Sequence, residues 1–171
     1  GGLHPEAGFP WWQMSAQVYL EATEPLAGVA GSNDVVIRPR HAEAAGAELY
    51  VSIHANASGQ PGGSRANGLS SYRYSCQRYN DHSAAAAAVD CDDPPGSAAL
   101  TEAVHREIMA RIRGDYDPGY HDVGTRVANF GELRELDDAP GVLVETGFFD
   151  NLADPVGDAR HPDNRALHDP N

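Results

Sequence analysis

Lysine is absent from this chain. Its twelve basic residues are all arginine, set against 25 Asp and Glu, for a formal net charge of −13. So little positive charge cannot neutralise a phosphate backbone in bulk, which excludes general nucleic-acid binding. Long apolar runs are missing too. Nothing approaches the roughly 20 consecutive apolar residues of a membrane helix, so no membrane span is expected. No charged-then-apolar leader opens the chain, which reads as a processed or excised piece. Cysteine is scarce: Cys76 and Cys91 are the only two, at a spacing that fits no zinc finger. They flank a loop-like insert with an Ala84–Ala88 run. A disulfide pinning that insert is expected if the protein is exported; two unpaired thiols are the alternative.

The 171 residues suffice for one α/β domain with a real core and are too few for two. No internal repeat is visible. Helical patterning covers Trp11 to Ala22, with Met14 and Val18 on one face. Asp34 is the expected N-cap of a helix over Val35 to Ala45, with Gly46 as its stop and Pro39 near its first turn. Ser97 is the expected cap of an amphipathic helix to Arg113, with Leu100, Val104, Ile108 and Ile112 recurring every four residues and Gly114 ending it. Strands are expected over Glu48–Ala55, Gly68–Tyr74, Thr125–Phe130 and Val142–Glu145, with a loop over Leu133–Ala139. Strands alternating with helices predict a single α/β domain: a twisted, mostly parallel or mixed sheet with helices on both faces.

Two stretches carry the chemistry: Tyr50-Val-Ser-Ile-His-Ala-Asn-Ala57 and Gly141-Val-Leu-Val-Glu-Thr-Gly-Phe-Phe-Asp-Asn151. In the first, Leu49, Val51 and Ile53 alternate with Tyr50, Ser52 and His54, a period of two. The second opens on a continuous apolar run framed by Pro140-Gly141 and Gly147. Both read as buried strands that end in chemically capable residues, and ligands bind at the carboxyl edge of open α/β sheets. His54 and Glu145 are therefore expected at one edge, as a metal ligand and a general base.

Together these stretches resemble the zinc-dependent N-acetylmuramoyl-L-alanine amidases that trim peptidoglycan. That family carries a strand ending Ser-Ile-His-Ala-Asn and a later one ending Val-Glu-x-Gly-Phe-x-x-Asn, here Ser52–Asn56 and Val144–Asn151. Arg40 to Ala47, Asp122-x-Gly124 and Phe130 to Arg134 extend the likeness. The resemblance implies a phosphorylase/hydrolase-like fold and a zinc bound by two His and one Glu, with a separate catalytic Glu. His54 matches the second His, and Glu145 matches the catalytic Glu. The first His normally sits in an Asp-Pro-Gly-His-Gly-Gly turn. The opening Gly1-Gly2-Leu3-His4-Pro5 resembles the segment just after that turn. Residues 1–171 are therefore read as an amidase catalytic domain truncated at both ends, with its first ligand upstream. At the family's Glu-ligand position stands Gln13, a poor zinc donor beside a carboxylate; Glu6 and His4 are the alternatives.

Zinc would lower the pKa of a bound water and polarise the scissile carbonyl. A carboxylate outside the ligand set would move the proton to the leaving amine. Glu145 suits that role because partial burial at the end of an apolar strand raises a carboxyl pKa. Asn56 is a candidate substrate donor. Trp11 and Trp12 are read as packing, and Asp137-Asp138 as a solvated turn. His41, His82, His105, His121, His161 and His168 are read as surface or loop residues, His121 being the one whose loop could reach the cleft. The expected function is hydrolysis of the bond between muramic acid and L-alanine by an exported zinc enzyme acting on peptidoglycan. The rivals are a zinc peptidase acting on other amides and a peptidoglycan-binding or regulatory module that has lost the metal.

Overall fold

The computed structural model describes residues 3, 5, 8, 16–23, 33–60, 64–76 and 93–151, and every structural statement concerns these. Helix α1 spans Ala16–Thr23 and α2 spans Asp34–Ala44. Strand β1 is Tyr50–Asn56 and β2 is Leu69–Tyr74. Then come α3, Ser97–Asp115, and β3, Asp122–Ala128. A short α4, Gly131–Arg134, leads to β4, Gly141–Phe148. Four strands form one open mixed sheet in the order β1-β4-β2-β3. β1 runs parallel to β4, β3 runs parallel to β2, and the two pairs meet antiparallel between β2 and β4. The carboxyl ends of β1 and β4 therefore share an edge with the amino ends of β2 and β3.

Alternation along β4 sorts its side chains onto two faces. Val142 and Val144 join Leu69, Met109 and Tyr120 in one cluster, backed by Leu100, Val104, Ile108 and Ile112 of α3. Leu143 faces the other way, with Tyr72, Ala128, Leu133, Leu136 and Ala139. There the Tyr72 and Phe130 rings meet edge-on, 5.1 Å between centroids. Such a contact adds about 1 kcal/mol to the burial of the two rings. Helices thus cover both faces of the sheet.

Several local expectations shift. Asn33, not Asp34, caps α2: its side chain accepts from the backbone N–H of both Val35 and Val36, a contact worth about 1 kcal/mol. Pro39 sits buried beyond the first turn of α2. Gly46, at φ +70°, ends that helix as expected. Ser97 opens α3 without capping it; the capping position is the left-handed Gly96. Ser97 Oγ instead donates to Pro94 O and accepts from Gly141 N, which ties the helix start to β4. The buried positions of α3 are Ser97, Thr101, His105 and Met109, one residue along from the aliphatic stripe.

Strand β1 is not buried on both faces. It is the outer strand, and α3 packs against β2, β3 and β4. Leu49, Val51 and Ile53 are consequently exposed at 58%, 45% and 68%. The covered face of β1 is the polar one, carrying Tyr50, Ser52 and His54. That inversion turns the chemically capable side chains towards α4.

Candidate active site

His54 and Glu145 are register partners on neighbouring parallel strands. In-register residues of a sheet project from the same face, so both side chains emerge together near one edge. The bond from Thr146 Oγ1 to the carbonyl of His54, 2.9 Å, holds the two strand ends together. A β-bulge lies between His54 and Asn56, and the ladder loses its regularity where the site begins.

On the covered face of β1, Ser52 Oγ lies 2.9 Å from His54 Nε2. Burial pushes the phenol of Tyr50 up; a hydrogen bond to Ser52 opposes this and the charge of Glu132 adds to it. Glu132 comes from α4. Phe130 N-caps this turn, and Leu133 anchors it in the core. Glu132 is only 7% exposed. Its Oε1 stands 3.5 Å from His54 Nε2 and 3.9 Å from Arg38 Nη1 of α2. Arg38 Nη2 is paired with Asp34. Sequence reading missed Glu132 because a four-residue helix shows no periodicity.

Glu145 is the most perturbed acid here. Burial first, and the negative charge of Glu132 second, push its carboxyl up to about 7. Its Oε2 is buried with no hydrogen-bond partner. A carboxyl that titrates near neutrality can both take and return a proton at working pH. Imidazole and carboxylate are also donors that a metal ion takes. Among the described residues, however, no three His, Cys, Asp or Glu converge into a complete ligand set. His4, Glu6 and Gln13 lie outside the described residues, as do Trp11, Trp12, His82, His161 and His168.

The loops beyond the two strands are stitched together. Asp150 accepts from Ser58 N at 3.0 and 2.9 Å and from Ser58 Oγ at 2.6 Å. The Ser58 hydroxyl bond holds the Asp150 carboxyl below its ordinary value against some burial. Asn151 is fully buried, and its side-chain amide donates to Ala66 O. Asn56 Oδ1 accepts from Ala57 N at 2.7 Å, so the contact it makes is local.

Of the remaining histidines, His121 lies at the same sheet edge, where its ring meets Asn67 O at 3.0 Å; nothing among the described residues joins it to His54 or Glu145. His105 is not a surface residue. It is 7% exposed, with Nδ1 2.9 Å from Ser71 Oγ and Nε2 2.9 Å from Asp122 Oδ1. With Ser71 fully buried, this Ser-His-Asp chain has no accessible nucleophile and is structural. Asp137 and Asp138 form the expected turn, their backbone N–H groups donating to Glu43 Oε1. Cys76 is disulfide-bonded; Cys91, the other cysteine, lies outside the described residues.

The N-acetylmuramoyl-L-alanine amidase family matches residues 14–156. Among solved structures, the amidase AmiC2 of Nostoc punctiforme is 30% identical, with a TM-score of 0.45, over 64% of this chain and 46% of that one. The catalytic domain of CwlV from Bacillus (Paenibacillus) polymyxa var. colistinus is 31% identical, with a TM-score of 0.45, over 67% and 48%. Apo Ami1 from Mycobacterium abscessus is 18% identical, with a TM-score of 0.50, over 77% and 50%, a likeness of fold alone. The chain thus spans about half the length of these relatives. No curated protein matches it. The family match takes in most of the chain and both strands of the candidate site, and the chain belongs to the N-acetylmuramoyl-L-alanine amidase family.

Proposed function

We propose that the protein hydrolyses the amide bond between N-acetylmuramic acid and L-alanine in peptidoglycan, using zinc, outside the cytoplasm. The observation that carries this reading is the pairing of His54 with a Glu145 whose carboxyl is raised to about 7. The disulfide at Cys76 supports export, because disulfides persist in oxidising compartments. No helix among the described residues is long and apolar enough to cross a membrane.

The residues present fit a zinc ion in kind. His54 offers an imidazole, and beside it the buried Glu145 Oε2 has no partner in the protein. His54 would hold the metal, with His4, Glu6 and Gln13 the sequence candidates for further ligands. Zinc would supply polarisation of the scissile carbonyl and acidification of the attacking water. The chain's own residues do the rest. Glu145 accepts a proton at its carboxylate and returns it to the departing amine of L-alanine. Burial keeps that carboxyl near neutrality in pKa, so both transfers are close to balanced. Ser52 orients the His54 ring, and the Thr146–His54 bond fixes the spacing of the strand ends.

The direct test is digestion of purified peptidoglycan with added zinc, and then labelling of newly freed L-alanine amino groups. New alanine amino termini, absent with Glu145→Gln, are expected. Binding to peptidoglycan without release of alanine amino termini would instead favour the binding-module reading, and release of other amino termini the peptidase reading.

A further inference from the structure

Glu145 stands where both ladders of β4 give out. Pairing with β2 ends at Ser70↔Glu145. Pairing with β1 keeps its register as far as His54↔Glu145 and then meets the bulge. The carboxyl is held by little of its own, because its Oε2 has no hydrogen-bond partner. Its position therefore depends on the backbone that carries it, at the point where backbone pairing stops. Two side-chain bonds take over there, and both converge on the next residue. Thr146 Oγ1 donates to His54 O at 2.9 Å, and Tyr120 Oη donates to Thr146 O at 2.7 Å. Thr146 is thus tied to β1 by its hydroxyl and to Tyr120 by its carbonyl.

Tyr120 is a firm anchor. It is 2% exposed and packs with Leu69, Met109, Val142 and Val144. Its carbonyl receives Arg113 Nε and Nη2 from the last turn of α3, at 3.1 and 3.0 Å. Its amide donates to Asp117 O, and the neighbouring His121 O takes Leu69 N of β2. The loop between α3 and β3 is therefore fixed to the helix on one side and to the sheet on the other. Through Tyr120 Oη that fixity reaches the end of β4.

We propose that Tyr120 is a positioning residue for Glu145: its hydroxyl, through the Thr146 peptide, holds the catalytic carboxylate in place beside His54. The proposal rests on the amidase reading of the proposed function. Catalytic groups have to be kept within about 0.5 Å of their working geometry by packed, hydrogen-bonded neighbours. A misplacement of about 1 Å can cost about 10²-fold in rate. The opposing account gives Tyr120 Oη a structural role alone, as a buried phenol that needs a partner.

The test compares Tyr120→Phe with Ile112→Val. The first keeps the ring in the core and deletes the hydroxyl; the second trims a side chain packed against the same cluster and controls for lost stability. Turnover of a soluble N-acetylmuramoyl-L-alanyl peptide with added zinc is measured below the melting range of each protein. Tyr120→Phe is expected to lower kcat at least about tenfold with KM within about twofold of the wild type. Ile112→Val should keep the wild-type kcat. In a Glu145→Gln background, Tyr120→Phe should cost nothing more, because residues that act as a unit are not additive. A wild-type kcat in folded Tyr120→Phe overturns the proposal and leaves the amidase reading standing. An equal loss with and without the Glu145 carboxylate overturns it too, since the effect would then bypass Glu145. If Tyr120→Phe does not fold, Thr146→Val decides, because it frees the same peptide from the β1 side. Loss of kcat at constant KM then supports the clamp, and a wild-type kcat shows that Glu145 needs none and overturns the proposal. A wild type that frees no alanine amino groups overturns the amidase reading and this proposal together.

Discussion

Glu145 and Glu132, carried by a strand and by the short helix that precedes it, place two carboxylates around His54, and only one of them is raised to about 7. The asymmetry comes from partners. Glu132 has His54 and Arg38 within 4 Å, whereas Glu145 Oε2 has none. The acid without partners is the one suited to proton transfer. Glu145→Gln is therefore expected to keep the fold and the metal while lowering turnover by about 10²–10⁴-fold. Amidase assays alongside zinc analysis check this. Near-normal turnover by a zinc-loaded variant would put the base elsewhere.

The same carboxyl makes metal-free stability depend on pH. Its folded value, about 7, lies above the ordinary 4.5. Between those values the folded protein keeps a proton that the unfolded chain has released. Stability therefore falls as pH rises through that window and is flat on either side. Glu145→Gln removes the effect. In the presence of a chelator, the variant should gain on the wild type from pH 4.5 to about 7, by a plateau of at most about 3 kcal/mol, reduced by solvent screening of the partly exposed carboxyl. Parallel denaturant titrations read the gap, and a gap independent of pH would contradict the burial argument.

The sequence made the site legible where strand periodicity and motif coincided. His54 and Glu145 each end an apolar run, and a register pairing was the natural consequence. It misled where apolar character was equated with burial. In β1 the apolar residues Val51 and Ile53 are exposed, while Ser52 is covered, because strand order cannot be read from one strand's alternation. Glu132 was hidden for a different reason. Four residues give no helical period, and an acid before Leu133 looks like a loop residue until α4 is folded against α2, β4 and β2. His105 escaped because burial on α3 tracks Thr101, His105 and Met109 rather than the aliphatic stripe beside them.

That buried row gives a prediction about stability alone. His105 joins Ser71 of β2 to Asp122 of β3. His105→Phe leaves Ser71 Oγ buried without this partner, at a cost of about 1–3 kcal/mol. Asp122→Asn should be milder and pH-dependent. Burial works to raise the Asp122 carboxyl, and its hydrogen bond to His105, with the His105 charge, more than offsets this, so it sits below its ordinary value. The stabilisation is present above the unfolded pKa and is lost as pH falls through the folded one. The gap between wild type and Asp122→Asn should therefore close in acid. A gap that widens there would mean that the pair does not stabilise the charged form of Asp122.

Asp150 tests whether the loops around the site are held from β4. Its carboxylate receives the backbone N–H and the hydroxyl of Ser58, the second residue past β1. Both oxygens are engaged, so the contact fixes the direction in which the chain leaves the His54 strand. Asp150→Ala removes it without touching either strand. The Ser58 amide should then exchange with solvent at least about tenfold faster, while the β1 amides paired with β4 keep their protection. Because the Ser58 hydroxyl bond lowers the Asp150 pKa, the wild-type protection should also fade in acid, as pH drops through that depressed value. Hydrogen exchange resolved by residue reads both effects. Equal loss of protection at Ser58 and along β1 would show that Asp150 stabilises the whole sheet edge rather than this loop. Unchanged exchange at Ser58 would show that the loop is held by something other than the carboxylate.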